Sequence, residues 1–199
     1  MKQVFTFLLL FFFNVQVATA QRHNAYDAGL GIRLGDPFGL SYKYYMQGSK
    51  ALEANLGSTF PGFYTGYFSN IFNDIEDYQR ATYLGHSVNY SVALQGRLLF
   101  HQDFPEDIEG LEWYFGAGAQ LRFIGVEYRY LDRVGIRFNE NYTDVGFGPE
   151  GVLGAEYKIP DTQLTAFIDL SLFMEIVDNP LIFRLQAGLG MRYNFNFSY

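Results

Sequence analysis

The last segment of the chain, residues 183–199, restricts the fold more than any other. Every second residue in it is apolar or aromatic, and the residues between them are polar or glycine. This alternation is the period of a β-strand, and a tilted strand of about nine to eleven residues crosses a bilayer. The segment therefore predicts a membrane-spanning strand with aromatic residues at one interface. A long strand in a soluble sandwich is the alternative at this stage.

The composition of the chain favours a barrel over a helical membrane protein. The mean hydropathy of −0.04 is typical of spanning strands, in which lipid-facing and lumen-facing residues alternate. The sequence has 199 residues and no cysteine, which excludes disulfides and thiolate metal sites. A net charge of −7 without a basic stripe argues against nucleic acid as a partner.

The N-terminal residues 1–20 have the three parts of a signal peptide. Lys2 supplies the positive charge, residues 4–13 are apolar, and residues 18–20 form a small-residue cleavage site. Ten residues are too few to cross about 30 Å as a helix, which argues against an anchor. We therefore expect cleavage between Ala20 and Gln21, and a single barrel domain over residues 21–199.

Seven further segments show the same alternation, which gives eight strands in all. They are residues 26–34, 38–46, 52–57, 88–100, 112–123, 151–158 and 164–173. An even number of strands can close an antiparallel up-and-down barrel with both termini on one side, and closure leaves no unpaired edge in lipid. The sequence thus predicts an all-β, eight-stranded transmembrane barrel in the cell outer membrane. A soluble barrel has the same period, but aromatic residues at the strand ends favour the membrane.

The inward faces of these strands carry a charged set. An eight-stranded barrel is only wide enough for side chains to fill its interior, so these charges must pair. We interpret the set as an ion-pair network that plugs the lumen; a narrow ion pathway or a buried catalytic dyad is the alternative. The predicted lumen residues are Asp27, Arg33, Lys43, Glu53, Arg97, Glu112, Arg122, Glu156, Lys158, Asp169, Arg184 and Arg192.

Two long connections, residues 59–85 and 124–147, are predicted outer loops that could bind a surface ligand. In the first, Ile71, Phe72, Ile75 and Tyr78 have the spacing of a short amphipathic helix. Such a helix either packs on the barrel rim as a lid or presents an aromatic patch to a ligand.

The second connection shows a change of parity. Its apolar residues fall on even numbers from Ile124 onwards, whereas the preceding strand uses odd numbers. This change predicts a β-bulge at Ile124–Gly125. Beyond it, residues 126–130 and 134–138 can pair as a protruding ribbon, whose free edge suits strand addition by a partner.

Catalytic and metal-binding patterns are weak. A serine, a histidine and an acid at one rim would suit acyl transfer, and only Ser87, His86 and an acid such as Asp77 could supply them. Adjacent residues of a strand point to opposite faces, so His86 and Ser87 are poorly placed to act together. We predict no enzyme, no metal site and no cofactor.

Several segments resemble one family. Residues 31–44, GIRLGDPFGLSYKY, together with residues 51–53, 113–119 and 151–157, resemble the small eight-stranded outer-membrane barrels of Gram-negative bacteria, the OmpX and OmpA type. The resemblance implies insertion into outer-membrane lipid and recognition by the barrel-assembly machinery through terminal aromatic residues, here Tyr193, Phe195, Phe197 and Tyr199. It implies no particular activity.

We therefore expect a barrel with a plugged polar lumen and a structural or surface-binding role. A lipid-modifying enzyme and a small ion channel remain the alternatives.

Overall fold

The computed structural model describes residues 26–59, 69, 72, 81–104, 108–177 and 182–198. The predicted signal peptide, its cleavage site at Ala20 and Gln21, and Tyr199 lie outside these residues and stay predictions. No helix in the described ranges is both long enough and apolar enough to span a membrane.

Eight antiparallel strands form a closed ring, as predicted. They are β1 (Ala28–Gly35), β2 (Phe38–Tyr45), β3 (Lys50–Ser58), β4 (Thr82–Asp103), β5 (Leu111–Leu131), β6 (Arg137–Lys158), β7 (Leu164–Glu175) and β8 (Ile182–Phe195). Each strand pairs with its neighbours in sequence, and the pairing of β1 with β8 closes the ring. All backbone groups of the wall can therefore bond within it.

The last strand is shorter than the sequence predicted. β8 ends at Phe195, where its register partner Ala28 begins β1. Beyond this point no strand of the described residues lies alongside, so residues 196–198 leave the ladder although their alternation continues. The first and last described residues, 26 and 198, lie at this end of the barrel, which we call the inner end, and the opposite end is the outer end.

Strand length divides the wall into two parts. β4, β5 and β6 have 22, 21 and 22 residues, whereas β1, β2 and β3 have 8, 8 and 9. β3 pairs with β4 only up to Ala93, and β7 pairs with β6 only from Glu150. Most of the excess length lies at the outer end.

The three long strands continue there as a three-stranded sheet made of residues 82–91, 124–131 and 137–144, which we call the projecting sheet. Most of residues 124–147 is therefore strand rather than loop, and β4 begins within the predicted loop 59–85. A ribbon forms there with β4 as a third strand, but its register differs from the prediction: residues 126–130 pair with residues 138–142, and residues 132–136 form the turn.

The predicted bulge at Ile124–Gly125 is wrong. β5 pairs with β6 without a shift of register from Leu111 to Leu131. The irregularities lie in β4 instead, between Tyr83 and Gly85 and between Val88 and Tyr90. The change of parity in the sequence therefore has another cause, which is given below.

Candidate functional sites in the lumen and the projecting sheet

The outer surface of the barrel is apolar on every strand. Large apolar side chains point away from the lumen and are about half exposed or more, among them Leu30, Leu56, Ile168 and Leu185. A soluble monomer rarely exposes an apolar patch of more than a few hundred Å². Because this surface surrounds the whole ring, it is the lipid-facing belt of a membrane barrel.

Inside this belt lies a charge-balanced central network. It contains four bases and four acids, and every one of them is nearly inaccessible to solvent. Its members are Arg33, Lys43, Arg97, Arg192, Glu53, Glu150, Glu156 and Asp169. Buried charges persist only when they are paired and hydrogen-bonded, and these charges sum to zero.

Arg97 occupies the middle of the central network. Its Nε donates to Glu150 Oε1 at 2.7 Å, and its NH1 donates to Glu53 Oε1 at 3.2 Å. Glu53 is also bonded through Oε2 to Arg192 NH2 at 2.6 Å. The three bonds link four strands across the lumen, so the network closes the barrel from wall to wall.

The inward glycines make room for these long side chains. A Cβ at Gly188 would overlap the guanidinium of Arg33, which forms a bidentate pair with Asp169 at 2.5 and 2.8 Å. On the neighbouring strand β8, the Arg192 guanidinium lies 3.7 Å from the centroid of the Phe167 ring, a cation–π distance.

The other predicted lumen residues lie at the two ends. Arg122 and Arg184 both contact Glu175 Oε2, at 3.1 and 2.7 Å, toward the outer end. At the inner end, Lys158 Nζ and Glu112 Oε1 form a partly exposed pair at 2.7 Å.

Asp27 lies at the inner rim, where it accepts a hydrogen bond from the backbone of Phe197, and is therefore outside the central network. Two acids, Glu150 and Glu175, were missed by the sequence analysis. The strands predicted there, residues 151–158 and 164–173, stop one and two positions short of them. Both acids have the inward parity of these strands, so extending the predicted strands by one and by two residues would have included them.

The polarity of β5 reverses where the strand passes out of the barrel. On the barrel side of this point, the inward residues Gln120 and Arg122 are polar and buried, and the outward residue Phe123 is apolar. On the projecting side, the inward residues Ile124, Val126 and Tyr128 are apolar and fully buried, and the outward residues at 127 and 129 are charged.

Because the backbone keeps its register there, the change of parity reports a change of surroundings. The outer face passes from hydrocarbon to water, and the reversal marks the level at which the sheet leaves the bilayer. An apolar core on the inward face is then required to hold the sheet in water.

Phe72 completes that core. It is fully buried, and its ring lies 5.2 Å from Tyr83, 5.4 Å from Tyr128 and 5.7 Å from Tyr130. Ser69 and Phe72 are helical; Ile71, Ile75 and Tyr78 lie outside the described residues. The structure therefore places Phe72 against the inward face of the projecting sheet.

The outward face of the projecting sheet is polar. Asn89 Nδ2 donates to Asn141 Oδ1 at 3.1 Å, and Asn139 Nδ2 donates to Glu127 Oε1 at 3.4 Å. These bonds are exposed and connect neighbouring strands. They leave the face well suited to water and to polar partners.

His86 and Ser87 lie on opposite faces of β4, as the sequence predicted. The His86 ring is on the inward face, with Nδ1 2.5 Å from the Tyr83 hydroxyl, and Ser87 is exposed. Partial burial, with a smaller contribution from the nearby Arg129, lowers the pKa of His86. Asp77 lies outside the described residues.

One edge of the projecting sheet is open within the described part of the chain. Phe147 accepts a hydrogen bond from the backbone of Ile176, the residue that follows β7, so its backbone groups face away from β5. Residues two apart on a strand point the same way, and the N–H and C=O groups of Asn139, Asn141 and Thr143 therefore face this edge as well. In the described ranges, no strand pairs on this side with the part of β6 that lies between Glu150 and the outer end.

The fold is similar to solved bacterial barrels. The chain matches the N-terminal β-barrel domain of OprF from Pseudomonas aeruginosa with a TM-score of 0.50 and 15% identity, over 84% of this chain and 94% of that chain. It also matches neisserial surface protein A, with a TM-score of 0.41 and 10% identity, over 84% and 93%. No family model and no curated protein matches the sequence.

The likeness to OprF confirms the predicted fold, an eight-stranded barrel of the outer-membrane type. With its lipid-facing belt and its closed ladder, the chain is a transmembrane β-barrel.

Proposed function

We propose that this protein is a non-conducting barrel that holds the projecting sheet above the outer surface of the outer membrane as a recognition element. The observation that carries the proposal is the polarity reversal in β5, which lies just past the point at which β3 stops pairing with β4 and beyond the last pair of β7 with β6. A strand that served only to span the bilayer would have no reason to continue past this level.

The central network supports the non-conducting part of the proposal. A small ion would have to pass four bases and four acids that already neutralise one another. Separating such pairs costs several kcal/mol for each ion left alone. We expect no steady conductance from the purified protein in planar lipid bilayers, and a stable open level would favour the channel alternative.

The open edge of β6 supports recognition by strand addition. Asn139, Asn141 and Thr143 present backbone donors and acceptors in register along this edge. An extended peptide segment can continue such a sheet, with its main chain giving affinity and alternate side chains giving specificity. The partner class that we propose is therefore an exposed, extended segment of another surface protein.

Cysteine labelling on intact cells tests the placement of the projecting sheet. The natural chain has no cysteine, so each introduced thiol reports only its own position. We expect a membrane-impermeant maleimide to label Asn141→Cys. It should not label Leu153→Cys in the lipid belt or Gln47→Cys in the turn between β2 and β3 at the inner end. Labelling of Gln47→Cys with protection of Asn141→Cys would show that the barrel has the opposite orientation in the membrane and would reject the proposal.

Proline substitution tests strand addition separately. Thr143→Pro removes an N–H that faces the open edge and leaves the pairing with β5 in place, whereas Thr143→Val changes the side chain and keeps that N–H. Extended peptides selected from a random library on the detergent-folded protein should bind the valine variant and fail to bind the proline variant. Equal binding by both variants would exclude recognition at this edge.

A further inference from the structure

Two acids face one another at the inner end of the lumen. Glu112 of β5 and Glu156 of β6 are direct register partners, and both belong to the inward-facing set. Like charges directly opposite each other on neighbouring strands destabilise a sheet. The arrangement therefore depends on neighbouring cations, two of which are Lys43 and Lys158.

A histidine from a third strand joins this pair. His101 of β4 is buried, and its ring, Glu112 and Glu156 each offer a ligand atom, all of which lie within 4.8 Å of one another. Three neighbouring strands thus direct one nitrogen donor and two carboxylates to a single point.

Two of these ligand atoms are buried without a hydrogen bond. Among the described residues, His101 Nε2 and Glu156 Oε1 have no hydrogen-bond partner, and they face each other at 3.5 Å. Adjacent ligands of a tetrahedral zinc ion, each about 2.0–2.2 Å from the metal, are separated by about 3.4 Å. The pair already has the spacing of two zinc ligands.

A lysine contacts each of the two acids. Lys43 Nζ donates to Glu156 Oε2 at 2.6 Å, and Lys158 Nζ donates to Glu112 Oε1 at 2.7 Å. In Glu156 the lysine holds Oε2 while Oε1 faces His101, as outer partners of metal ligands do.

The lysines also set the electrostatic cost of adding a metal. The Lys158 side chain is 23% exposed at the inner mouth, so its ammonium can turn into water as a dication enters. Lys43 is fully buried and stays in place.

We propose that His101, Glu112 and Glu156 bind one divalent transition-metal ion at the inner mouth of the lumen, and that Zn²⁺ fits best. A mixed set of one imidazole and two carboxylates suits zinc and related ions more than Mg²⁺ or Ca²⁺, which prefer oxygen ligands alone. Three protein ligands leave a fourth position for water. The ion replaces the repulsion between Glu112 and Glu156 with a bond that joins β4, β5 and β6 at the inner end.

The experiment uses the full mature chain without a histidine tag, folded in detergent and equilibrated with Zn²⁺. Metal analysis after dialysis should give one bound zinc per barrel. His101→Ala and Glu112→Gln should each weaken binding at least about tenfold, the lower end of what even outer-shell substitutions cost. His23→Ala and His86→Ala, which change the other two histidines, should bind like the natural chain.

Two further readouts keep the outcome decisive. Heat-modifiable gel mobility shows whether each variant still folds, so a loss of zinc cannot be assigned to an unfolded barrel. Co²⁺ as a spectroscopic probe should give the visible absorption of a four-coordinate site in the natural chain and lose it in His101→Ala. If folded His101→Ala keeps its zinc, or if the natural chain binds none in stoichiometric amount, the site does not exist and His101 only faces Glu156.

Discussion

The two halves of β5 share one backbone and one pair of partner strands, and they bury opposite kinds of side chain. In the barrel half, Gln120 and Arg122 point inward and Phe123 points outward; in the projecting half, Val126 and Tyr128 point inward and Arg129 points outward. The hydrogen-bond ladder is the same on both sides of the reversal. Alternation therefore identifies a strand, but the medium on its outer face decides which set is buried.

The two halves are also held together by different forces. The lumen is filled by ion pairs, whose strength depends on every partner being present. The inward face of the projecting sheet is filled by apolar packing around Phe72, which weakens gradually as contacts are removed. Substitutions should therefore act abruptly in the barrel and mildly in the projecting sheet.

Removing the central arginine should give the largest effect. Arg97→Ala leaves Glu150 and part of Glu53 without their guanidinium partner in a buried site. Breaking a buried pair by deleting one partner costs about 3–5 kcal/mol. We expect a loss of this size in the free energy of unfolding, measured by denaturant titration in detergent micelles with gel mobility as the signal.

The matched control for this prediction is Arg129→Ala on the outward face of the projecting sheet. Its side chain is exposed, and exposed charges contribute about 0–1 kcal/mol. A barrel that tolerated both substitutions equally would show that the central network does not hold the lumen together.

An arginine introduced on the outward face should distinguish the two halves directly. Leu153 and Thr143 both point outward from β6, the first in the lipid belt and the second in the projecting sheet. Leu153→Arg should cost about 2–4 kcal/mol, as a charge at the bilayer midplane does. Thr143→Arg should change the free energy of unfolding by less than about 0.5 kcal/mol. Equal costs, measured after folding into lipid vesicles, would place the membrane boundary elsewhere.

The same distinction explains how far the sequence could be interpreted. Eight strands and their closure followed from the period of two, because a strand that faces lipid on one side and a lumen on the other must alternate. The change of parity at Ile124 is visible in the sequence, but it predicts a bulge only if the outer face of the strand stays apolar. A single chain carries no direct mark of the level at which lipid gives way to water.

The lumen shows a similar limit. The inward position of Arg97 follows from alternation alone, but its partners do not, because Glu53 and Glu150 reach it from different sides of the ring. The proposed metal site could not be derived from the sequence for the same reason. His101, Glu112 and Glu156 have no ligand spacing in sequence, and only the register of three strands brings them together.

A change of pH should give the smallest effect, confined to the projecting half. The pKa of His86 is lowered by partial burial and then by Arg129, and its ring packs near Tyr83 and Tyr128. The unfolded segment therefore binds a proton more readily than the folded one. The opening free energy of the projecting sheet should be constant above the ordinary histidine pKa of about 6.5 and should fall as the pH drops below it.

Hydrogen exchange of residues 82–91, corrected for intrinsic rates, measures this opening at pH 8 and at pH 5.5. The amides of this segment should lose protection at the lower pH, while those of β8, which lies wholly in the barrel, should not. His86→Gln, which cannot titrate, should abolish the difference between the two pH values. If the glutamine variant kept the same pH dependence, another group would be responsible. A loss of protection in β8 as well would show that the barrel and the projecting sheet open as one unit. The two halves would then share a single opening free energy.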